Sequence, residues 1–233
     1  MASSDYDIRA FFTSAVSVDN VIFGFDGEAL RILLVERGVE PHEGMWALPG
    51  DMVRGDEDLD GAAQRVLTEL TSMRDVYLEQ IVALGRPDRH PTGRVVTVAY
   101  LSLIRERPGD VQPAGWARRA RYFPTGRLPV LAFDHADIVA LALERLRHRV
   151  RTQPVGLDLL PDVFTLSELQ QLYEAILGVE LDKRNFRKKI LALGIVRETG
   201  RLQENVNHRP ARLYEIDGEQ YERARNGEFA FAV

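Results

Sequence analysis

The chain of 233 residues contains no cysteine. Disulfide bonds, thiolate zinc sites and cysteine nucleophiles are therefore excluded, and this composition is typical of a protein from a reducing compartment. Long hydrophobic runs are also missing. The longest strongly apolar stretch covers residues 95–104, about half the length that crosses a bilayer. Residues 1–7 lack the basic and then apolar pattern of a signal peptide. We expect a cytoplasmic protein that does not enter a membrane.

The chain as a whole has no excess of positive charge. Its 30 basic residues stand against 35 acidic ones and give a net charge of −5, so the global balance gives no reason to expect nucleic acid. The distribution is nevertheless uneven. Residues 183–212 contain nine basic and two acidic residues, a local charge of +7, whereas residues 162–233 together carry −1. This basic block is a candidate surface for nucleic acid.

The first 151 residues mix strand and helix patterns. Asp26-Gly27 is a hairpin signal between two β-rich runs. Strands are predicted at 16–25, 30–35, 76–84 and 95–104, helices at 59–70 and 137–151, and a proline- and glycine-rich stretch lies at 108–129. The mixture favours an α/β or α+β domain over residues 1–151. Residues 152–162 contain two prolines, a glycine and no clear period, and we interpret them as a linker.

Residues 163–233 predict a small helical unit that ends in a hairpin. Thr165 and Glu168 form a capping box at the start of one helix, which Gly178 ends. After a very short turn, Asp182 caps a second helix. Two short strands follow, at 195–199 and 213–216. Two helices joined by a tight turn and followed by a basic hairpin form a winged helix-turn-helix arrangement.

The second helix of this unit has a cationic face that suits the major groove of double-stranded DNA. Arg184, Asn185 and Arg187 are predicted to read base edges there. Lys183, Lys188 and Lys189 are predicted mainly to neutralise phosphates. In the wing, Arg209 and Arg212 are predicted to follow the backbone or to reach the minor groove. The alternatives are a solvated basic helix and a winged unit that binds only protein.

Residues 50–72 resemble a Nudix box, the loop and helix of a family of hydrolases. The family pattern is Gly, five residues, Glu, seven residues, then Arg-Glu-apolar-any-Glu-Glu-any-Gly-apolar. Gly50, Val66 and Glu69 match this pattern, and Asp56 is a shortened substitute for Glu. Residues 45–50 (Met-Trp-Ala-Leu-Pro-Gly) resemble the strand that leads into the box. The resemblance implies the Nudix fold, a mixed-sheet sandwich with helices.

Most of the carboxylates that hold Mg²⁺ in a Nudix hydrolase are replaced in this sequence. In the family, carboxylates at i, i+3 and i+4 of the box helix hold the metal against a diphosphate. Here those positions are Arg65, Thr68 and Glu69. A lone carboxylate beside a guanidinium binds Mg²⁺ weakly. We therefore predict no catalytic residue, no metal site, no cofactor and little or no hydrolysis of diphosphates.

Glu69 is expected to be a remnant that pairs with Arg65 or with a pocket arginine. The alternative function is a residual Nudix hydrolase that acts on a nucleoside diphosphate derivative. In that case neighbouring acids rescue the metal site: Asp51, Asp56, Glu57 and Asp58.

A degenerate Nudix domain followed by a winged helix resembles the Nudix-related bacterial transcription regulators. The resemblance is carried by residues 128–135, 159–170, 182–189 and 208–214, besides the box. It implies a homodimer that binds operator DNA and represses or activates an operon, while the former hydrolase pocket senses a metabolite. One branch senses ADP-ribose and regulates NAD synthesis. Another senses sugars such as arabinose and regulates sugar catabolism, and residues 36–41 and 182–189 look closer to that branch.

The effector is expected to contact a set of polar and aromatic side chains near the box: Arg37, Trp46, Asp88, Arg89 and His90. Arginine pairs suit a diphosphate, whereas Asp88 or His90 suits sugar hydroxyls. Trp46 can stack on an adenine or on a pyranose. The alternatives are core packing for Trp46 and a solvated loop for Arg89 and His90.

Overall fold

A computed structural model of the chain describes residues 14–71, 76, 78–105, 111, 113, 115–204 and 209–227. Within these residues the first half is a seven-stranded mixed sheet with two helices. Its elements are β1 (Ala15–Phe25), β2 (Leu30–Arg37), β3 (Trp46–Ala47), β4 (Gly50–Met52), α1 (Leu59–Thr71), β5 (Leu78–Leu84), β6 (Val95–Leu103), β7 (Ala117–Pro124) and α2 (His135–Thr152). The predicted mixed α/β domain is confirmed.

The sheet is organised around β1, which is buried almost throughout. The strand order is β3-β2-β1-β6-β5, with β4 paired to β1 and β7 paired to β2. β1 and β6 are parallel over nine residue pairs, and the other pairings are antiparallel. The predicted hairpin between β1 and β2 is confirmed. Asp26 accepts backbone hydrogen bonds from Glu28 and Ala29 in that turn, and Gly27 has a φ of 99°.

Strand β7 lies inside the proline- and glycine-rich stretch 108–129, to which the sequence patterns assigned no element. Its sequence, Ala-Arg-Arg-Ala-Arg-Tyr-Phe-Pro, carries three arginines and lacks a simple apolar alternation. The strand pairs with β2 on one side only, and charged side chains are common on such edge strands. The position of β7 at the edge of the sheet therefore explains why this basic segment forms a strand that its composition did not predict.

The second half of the described chain is a winged helix-turn-helix unit. Its elements are α3 (Leu166–Leu177), α4 (Lys183–Leu193), β8 (Val196–Leu202), β9 (Arg212–Ile216) and α5 (Gly218–Arg225). The predicted capping box is confirmed, since Thr165 Oγ1 accepts from Glu168 N and Glu168 accepts from Thr165 N. Asp182 likewise caps α4 through Asn185 N, at 2.8 Å. Helix α5 was not predicted from the sequence.

The middle of the segment 152–162 packs largely into the core, whereas both of its ends are exposed, so it is not the fully exposed tether that a linker suggests. A short 3₁₀ helix, Leu157–Leu159, lies within the segment. Four apolar side chains here are at most 5% exposed: Val155, Leu157, Leu159 and Leu160. The prolines and the glycine do interrupt regular structure, as predicted. The segment nevertheless belongs to one hydrophobic cluster that runs from the sheet into α3 and α4.

Helix α2 joins the sheet domain to the winged unit. Its buried face includes Ile138, Ala142 and Leu146. Near the other end of the helix, Arg147 Nε donates to the carbonyl of Ile176 in α3 at 3.0 Å. No helix among the described residues is long and apolar enough to cross a membrane.

Candidate functional site

A cavity of about 270 Å³ opens beside the box, between the sheet and the start of α2. Strand β1 contributes Asp19 to it, the end of β2 contributes Arg37, and the β5–β6 loop contributes Arg89 and His90. The other lining residues are Ser17, Val39, Glu40, Pro41, Leu48, Gly50, Asp51, Met52, Val95, Trp116, Phe133 and His135. We call this space the effector cavity. Its wall combines two arginines, carboxylates and aromatic faces.

Asp19 lies at the centre of the buried polar groups of the effector cavity. The residue is only 6% exposed. Thr97 Oγ1, from the parallel neighbour β6, donates to Asp19 Oδ2 at 2.6 Å. Arg89 Nη2 lies 3.6 Å from Asp19 Oδ2, and His135 Nε2 lies 3.5 Å from Oδ1. A buried carboxylate needs such partners, since an unpaired charge would cost several kcal/mol.

Arg89 and Asp134 form a buried, two-pronged ion pair. Arg89 Nε donates to Asp134 Oδ2 at 3.0 Å, and Nη2 donates to Oδ1 at 2.8 Å. Both residues are 7% exposed, so the solvated-loop interpretation is wrong for Arg89. Asp134 occupies the N-cap position of α2 but makes no side-chain capping bond. The carboxylate of Asp134 pairs with Arg89 of the β5–β6 loop. Its negative charge also interacts favourably with the positive end of the dipole of α2.

His135 is a neutral ring whose tautomer follows from its hydrogen bonds. Leu48 N donates to His135 Nδ1 at 2.9 Å, so Nδ1 carries no proton. The proton therefore lies on Nε2, which faces Asp19. Burial lowers the pKa of His135 below its ordinary value, against the opposing effect of Asp19. The ring thus links the backbone of the strand leading into the box with the carboxylate on β1.

Aromatic rings form one side of the effector cavity. His90 stacks on Phe133 with the ring centroids 5.1 Å apart and the planes at 13°. The guanidinium carbon of Arg37 lies 4.9 Å from the centroids of both Phe133 and Trp116. Arg37 Nε also donates to the carbonyl of Pro41 at 2.7 Å. These contacts hold Arg37 in a fixed position at the cavity wall.

The structure brings together three of the five residues predicted to contact the effector. Arg37, Arg89 and His90 line one cavity. Trp46 packs edge-on against Phe123, with centroids 4.7 Å apart, and belongs to the hydrophobic core instead. Asp88 is exposed and borders another surface depression, which shares Arg89 and Phe133 with the effector cavity. The lining residues that the sequence patterns missed include Asp19, Trp116, Phe133 and His135.

Arg65 occupies the centre of the box and binds its acids. Its guanidinium donates to Glu57 Oε2 at 3.0 Å and to Oε1 at 2.8 Å, to Asp51 Oδ2 at 2.9 Å, and to the carbonyl of Met52 at 3.1 Å. Glu69 Oε1 lies 3.7 Å from Arg65 and 3.7 Å from Arg54, as expected for a remnant carboxylate. The hydrogen bond from Arg65 is the main cause that lowers the pKa of Glu57 to about 2.

The carboxylates of the box are engaged in ion pairs with arginine. The hydrogen bonds to Glu57 and Asp51 raise the pKa of Arg65 above its ordinary value. Thr68 donates to the carbonyl of Gln64 at 2.8 Å and supplies no carboxylate. Among the described residues, no three His, Asp or Glu side chains are grouped to hold a metal ion.

A second depression over α1 adjoins the effector cavity. It has a volume of about 390 Å³ and shares Gly50, Asp51 and Trp116 with the effector cavity. Gly50 is required at this junction, because a Cβ there would overlap Asp19 Oδ1 and lie 2.7 Å from the carbonyl oxygen of Val18. The two spaces therefore meet at Gly50, Asp51 and Trp116.

Helix α4 presents most of its predicted DNA contacts to solvent. The exposed members are Lys183, Arg184, Asn185, Lys188 and Lys189. Arg187 differs from them, since it is half-buried and its Nη2 donates to Ser167 Oγ at 3.0 Å. The structure therefore turns Arg187 toward the start of α3, whereas it was predicted to read base edges.

In the wing, Arg212 is paired with an acid. Its Nη1 lies 3.0 and 2.8 Å from the two oxygens of Glu198 on the neighbouring strand. Arg209 is exposed. Residues 205–208, part of the predicted wing loop, lie outside the described residues.

The sequence matches two known domain families. Residues 13–142 match the NUDIX domain, and residues 156–216 match the NrtR DNA-binding winged helix domain. A relative from Acinetobacter baylyi, the "ADPR responsive transcriptional repressor NtrR", is 36% identical over 223 residues, which cover 94% of this chain and 88% of the relative. An ADP-ribose pyrophosphatase from Methanocaldococcus jannaschii is 30% identical over 131 residues, which cover 56% of this chain and 74% of that protein.

Two solved structures are also similar to this chain, one over both domains and one over the NUDIX domain alone. Shewanella oneidensis NrtR in complex with a 27mer DNA is 30% identical, with a TM-score of 0.75, and covers 89% of this chain and 95% of its own. The NUDIX domain of that protein in complex with ADP-ribose is 33% identical, with a TM-score of 0.54, over 61% of this chain and 95% of its own. The chain belongs to the NrtR family, in which a NUDIX domain precedes a DNA-binding winged helix.

Proposed function

We propose that this protein is a repressor that binds operator DNA and is controlled by ADP-ribose. The observation that carries the proposal is the joint presence of a cavity with two fixed arginines and a box whose acids are bound by Arg65. A relative that aligns over 94% of the chain is described as an ADP-ribose-responsive repressor. Residues 1–151 would sense the effector, residues 152–162 would join the domains, and residues 163–233 would bind DNA.

ADP-ribose suits the effector cavity better than a free sugar does. Arg37 and Arg89 supply cations for a diphosphate, and Trp116 and Phe133 supply flat apolar faces for an adenine or a ribose. A neutral pentose would leave two arginines without an anionic partner from the ligand. The predicted leaning toward the sugar-sensing branch finds no support in these relatives, whereas the ADP-ribose branch does. Control of NAD synthesis would accompany that effector.

Helix α2 would carry the signal to the winged unit. Its first residues, Asp134 and His135, belong to the effector cavity, and Arg147 contacts the last turn of α3. A phosphate that competes with Asp134 for Arg89 would loosen the start of α2. In a cytoplasmic homodimer, a shift of α2 would change the spacing of the two α4 helices against two DNA half-sites.

The exposed face of α4 should dominate DNA binding. We expect Arg184→Ala to weaken binding to the DNA upstream of the gene about tenfold or more, because a base contact contributes ~1–3 kcal/mol. Lys188→Ala should reduce the salt slope by about one. Arg187→Ala should have a smaller effect than Arg184→Ala, since Arg187 faces Ser167. Gel-shift titrations at several salt concentrations measure all three.

Arg127→Ala is the control for this series, since Arg127 is an exposed arginine of the sheet domain. Equal losses for Arg127→Ala and Arg184→Ala would contradict the assigned DNA surface. Absence of DNA binding by the wild-type protein at low salt would remove the regulatory proposal.

ADP-ribose should bind in the effector cavity through Arg37. We expect Arg37→Ala to weaken ADP-ribose at least tenfold, since a hydrogen bond to a charged group contributes about 1.5–3 kcal/mol. Isothermal titration of the full chain with ADP-ribose, NAD and arabinose measures the affinities, with Arg127→Ala as the control. An unchanged affinity in Arg37→Ala, or tighter binding of arabinose than of ADP-ribose, would argue against this assignment.

The pair between Arg89 and Asp134 should couple the effector to DNA. Asp134→Asn removes the charge that competes with the phosphate for Arg89, so ADP-ribose should bind at least as tightly as to the wild type, while the change in DNA affinity that ADP-ribose causes should be smaller. The measurement is the gel-shift midpoint with and without saturating ADP-ribose. Asp137→Asn is the matched control, because Asp137 lies in the same helical turn but its pair with Arg86 is exposed. An unaltered response in Asp134→Asn would exclude this route.

The alternative function, a Nudix hydrolase, is favoured by the similarity to an ADP-ribose pyrophosphatase. We expect no turnover of ADP-ribose above background, because only Glu69 remains of the three carboxylates that hold the metal in the family pattern. Product release with Mg²⁺ or Mn²⁺ measures this. Turnover that disappears in Glu69→Gln would establish the enzyme instead, and Glu28→Gln, a change at an exposed turn, controls for loss of charge alone.

A further inference from the structure

Phe133 has a backbone conformation that is unusual for an aromatic residue. Its φ is 53°, in the left-handed region, where the Cβ is crowded by the following carbonyl oxygen. Among the non-glycine residues that the structure describes, only His42, with a φ of 64°, shares this feature. The two rings are in contact, edge to face, with centroids 4.7 Å apart. The strained positions thus form one cluster, and such clusters are typical of functional sites.

Hydrogen bonds on both sides of Phe133 hold its backbone in this conformation. Before it, Ala132 N donates to the carbonyl of Trp46 at 2.8 Å. After it, the ring of His135 accepts from Leu48 N at 2.9 Å. A strained residue persists only where its surroundings determine it in this way. The N-cap of α2 follows Phe133 directly, so a change in this φ would turn the chain at the point where the helix begins.

The ring of Phe133 contacts two side chains that line the effector cavity. The guanidinium carbon of Arg37 lies 4.9 Å from the ring centroid, and His90 stacks on the ring with centroids 5.1 Å apart. His135, the first residue of α2, also contacts the ring, at 5.2 Å between centroids. A phosphate that binds Arg37 competes with the aromatic face for the same cation. One ring therefore connects an arginine of the cavity with the start of α2.

A second space lies beside this ring. Phe133 lines the effector cavity and also a depression of about 400 Å³ whose wall includes His42, Met45 and Leu131. The ring therefore forms part of the boundary between the two spaces. If its contacts in the cavity were broken, the ring would turn into a space that already exists.

We propose that Phe133 is a positioning residue that transmits the state of the effector cavity to α2. Occupation of the cavity would withdraw Arg37 from the ring, the backbone at Phe133 would relax, and the first turn of α2 would shift. This inference rests on the function proposed above. It adds the second arginine of the cavity to the route, since the ion pair of Asp134 depends on Arg89. The backbone strain at Phe133 is independent of the effector and is tested without it.

The strain is tested by two variants that differ only in a Cβ. Phe133→Ala and Phe133→Gly both remove the ring, so the difference between them reports the backbone alone. At a positive φ, Phe133→Gly should melt about 2 °C or more above Phe133→Ala, whereas at an ordinary φ glycine is the less stable of the two. Ala132→Gly is the control, because Ala132 is buried and lacks a positive φ, and glycine there should lower the melting temperature.

The transmission is tested by the ratio of the DNA affinities of the full chain without and with saturating ADP-ribose, measured by gel shift. We expect Phe133→Leu to lower this ratio at least about fivefold, because leucine offers Arg37 no aromatic face. Phe133→Tyr keeps the ring and should keep the ratio within about twofold of the wild type.

Trp116→Leu is the matched control for this series. The ring of Trp116 lies at the same 4.9 Å from the guanidinium carbon of Arg37, but its backbone leads into β7 and that of Phe133 leads into α2. Trp116→Leu should therefore weaken ADP-ribose and still give, at saturation, a ratio within about twofold of the wild type.

A Phe133→Ala variant that is as stable as Phe133→Gly would refute the strain. A full ratio in Phe133→Leu, or an equal fall in Trp116→Leu, would overturn the transmission while the proposed function stands. No response of the wild type to saturating ADP-ribose would refute the proposed function and the transmission with it, and the alanine and glycine pair would still decide whether the backbone is strained.

Discussion

The buried pair between Arg89 and Asp134 is the constraint on which the site depends. Two groups this deeply buried are stable as ions only when each satisfies the other. The pair fixes the β5–β6 loop against the first turn of α2, and Asp19 and His135 complete the set of charges and hydrogen bonds. Any anion that enters the effector cavity meets this set, so binding a ligand and holding α2 in place draw on the same arginine.

A second cluster fixes the loop of the box to its helix. The guanidinium of Arg65 on α1 binds Asp51 and Glu57, and these bonds hold residues 51–57 against the helix. Gly50 and Asp51, at the start of this loop, also line the effector cavity. The ion pairs of Arg65 therefore help to keep this wall of the cavity in place.

The sequence allowed the prediction of those parts of the fold that depend on local chemistry. The hairpin at Asp26-Gly27 and the caps at Thr165 and Asp182 depend on side chains within three residues of each other, and all three were confirmed. Strand β7 could not be predicted, because its pairing with the distant β2 outweighs its basic composition. The burial of the apolar side chains between residues 155 and 160 likewise comes from packing across domains.

Only those residues of the site could be predicted whose type and position in the sequence indicated a contact with a ligand. Arg37 follows an apolar strand and Arg89 lies in a polar loop, and both line the effector cavity. Asp19 was missed, although a carboxylate inside the apolar run Ala-Val-Ser-Val-Asp-Asn-Val-Ile is an unusual signal. The choice between Trp46 and Trp116 cannot be made from sequence, because the two tryptophans differ in their neighbours only after the sheet has formed.

The position of α2 gives the proposed control of DNA binding a physical route between the two domains. The helix has 18 residues and so spans about 27 Å, at 1.5 Å per residue. A rigid helix transmits a displacement at one end to the other without a chain of flexible contacts. Arg147 and the apolar face of α2 pack directly on α3, and residues 154–157, 159 and 160 of the connection are buried. This packed connection, which the sequence patterns indicated to be a linker, supports the proposed route from the effector cavity through α2 to the winged unit.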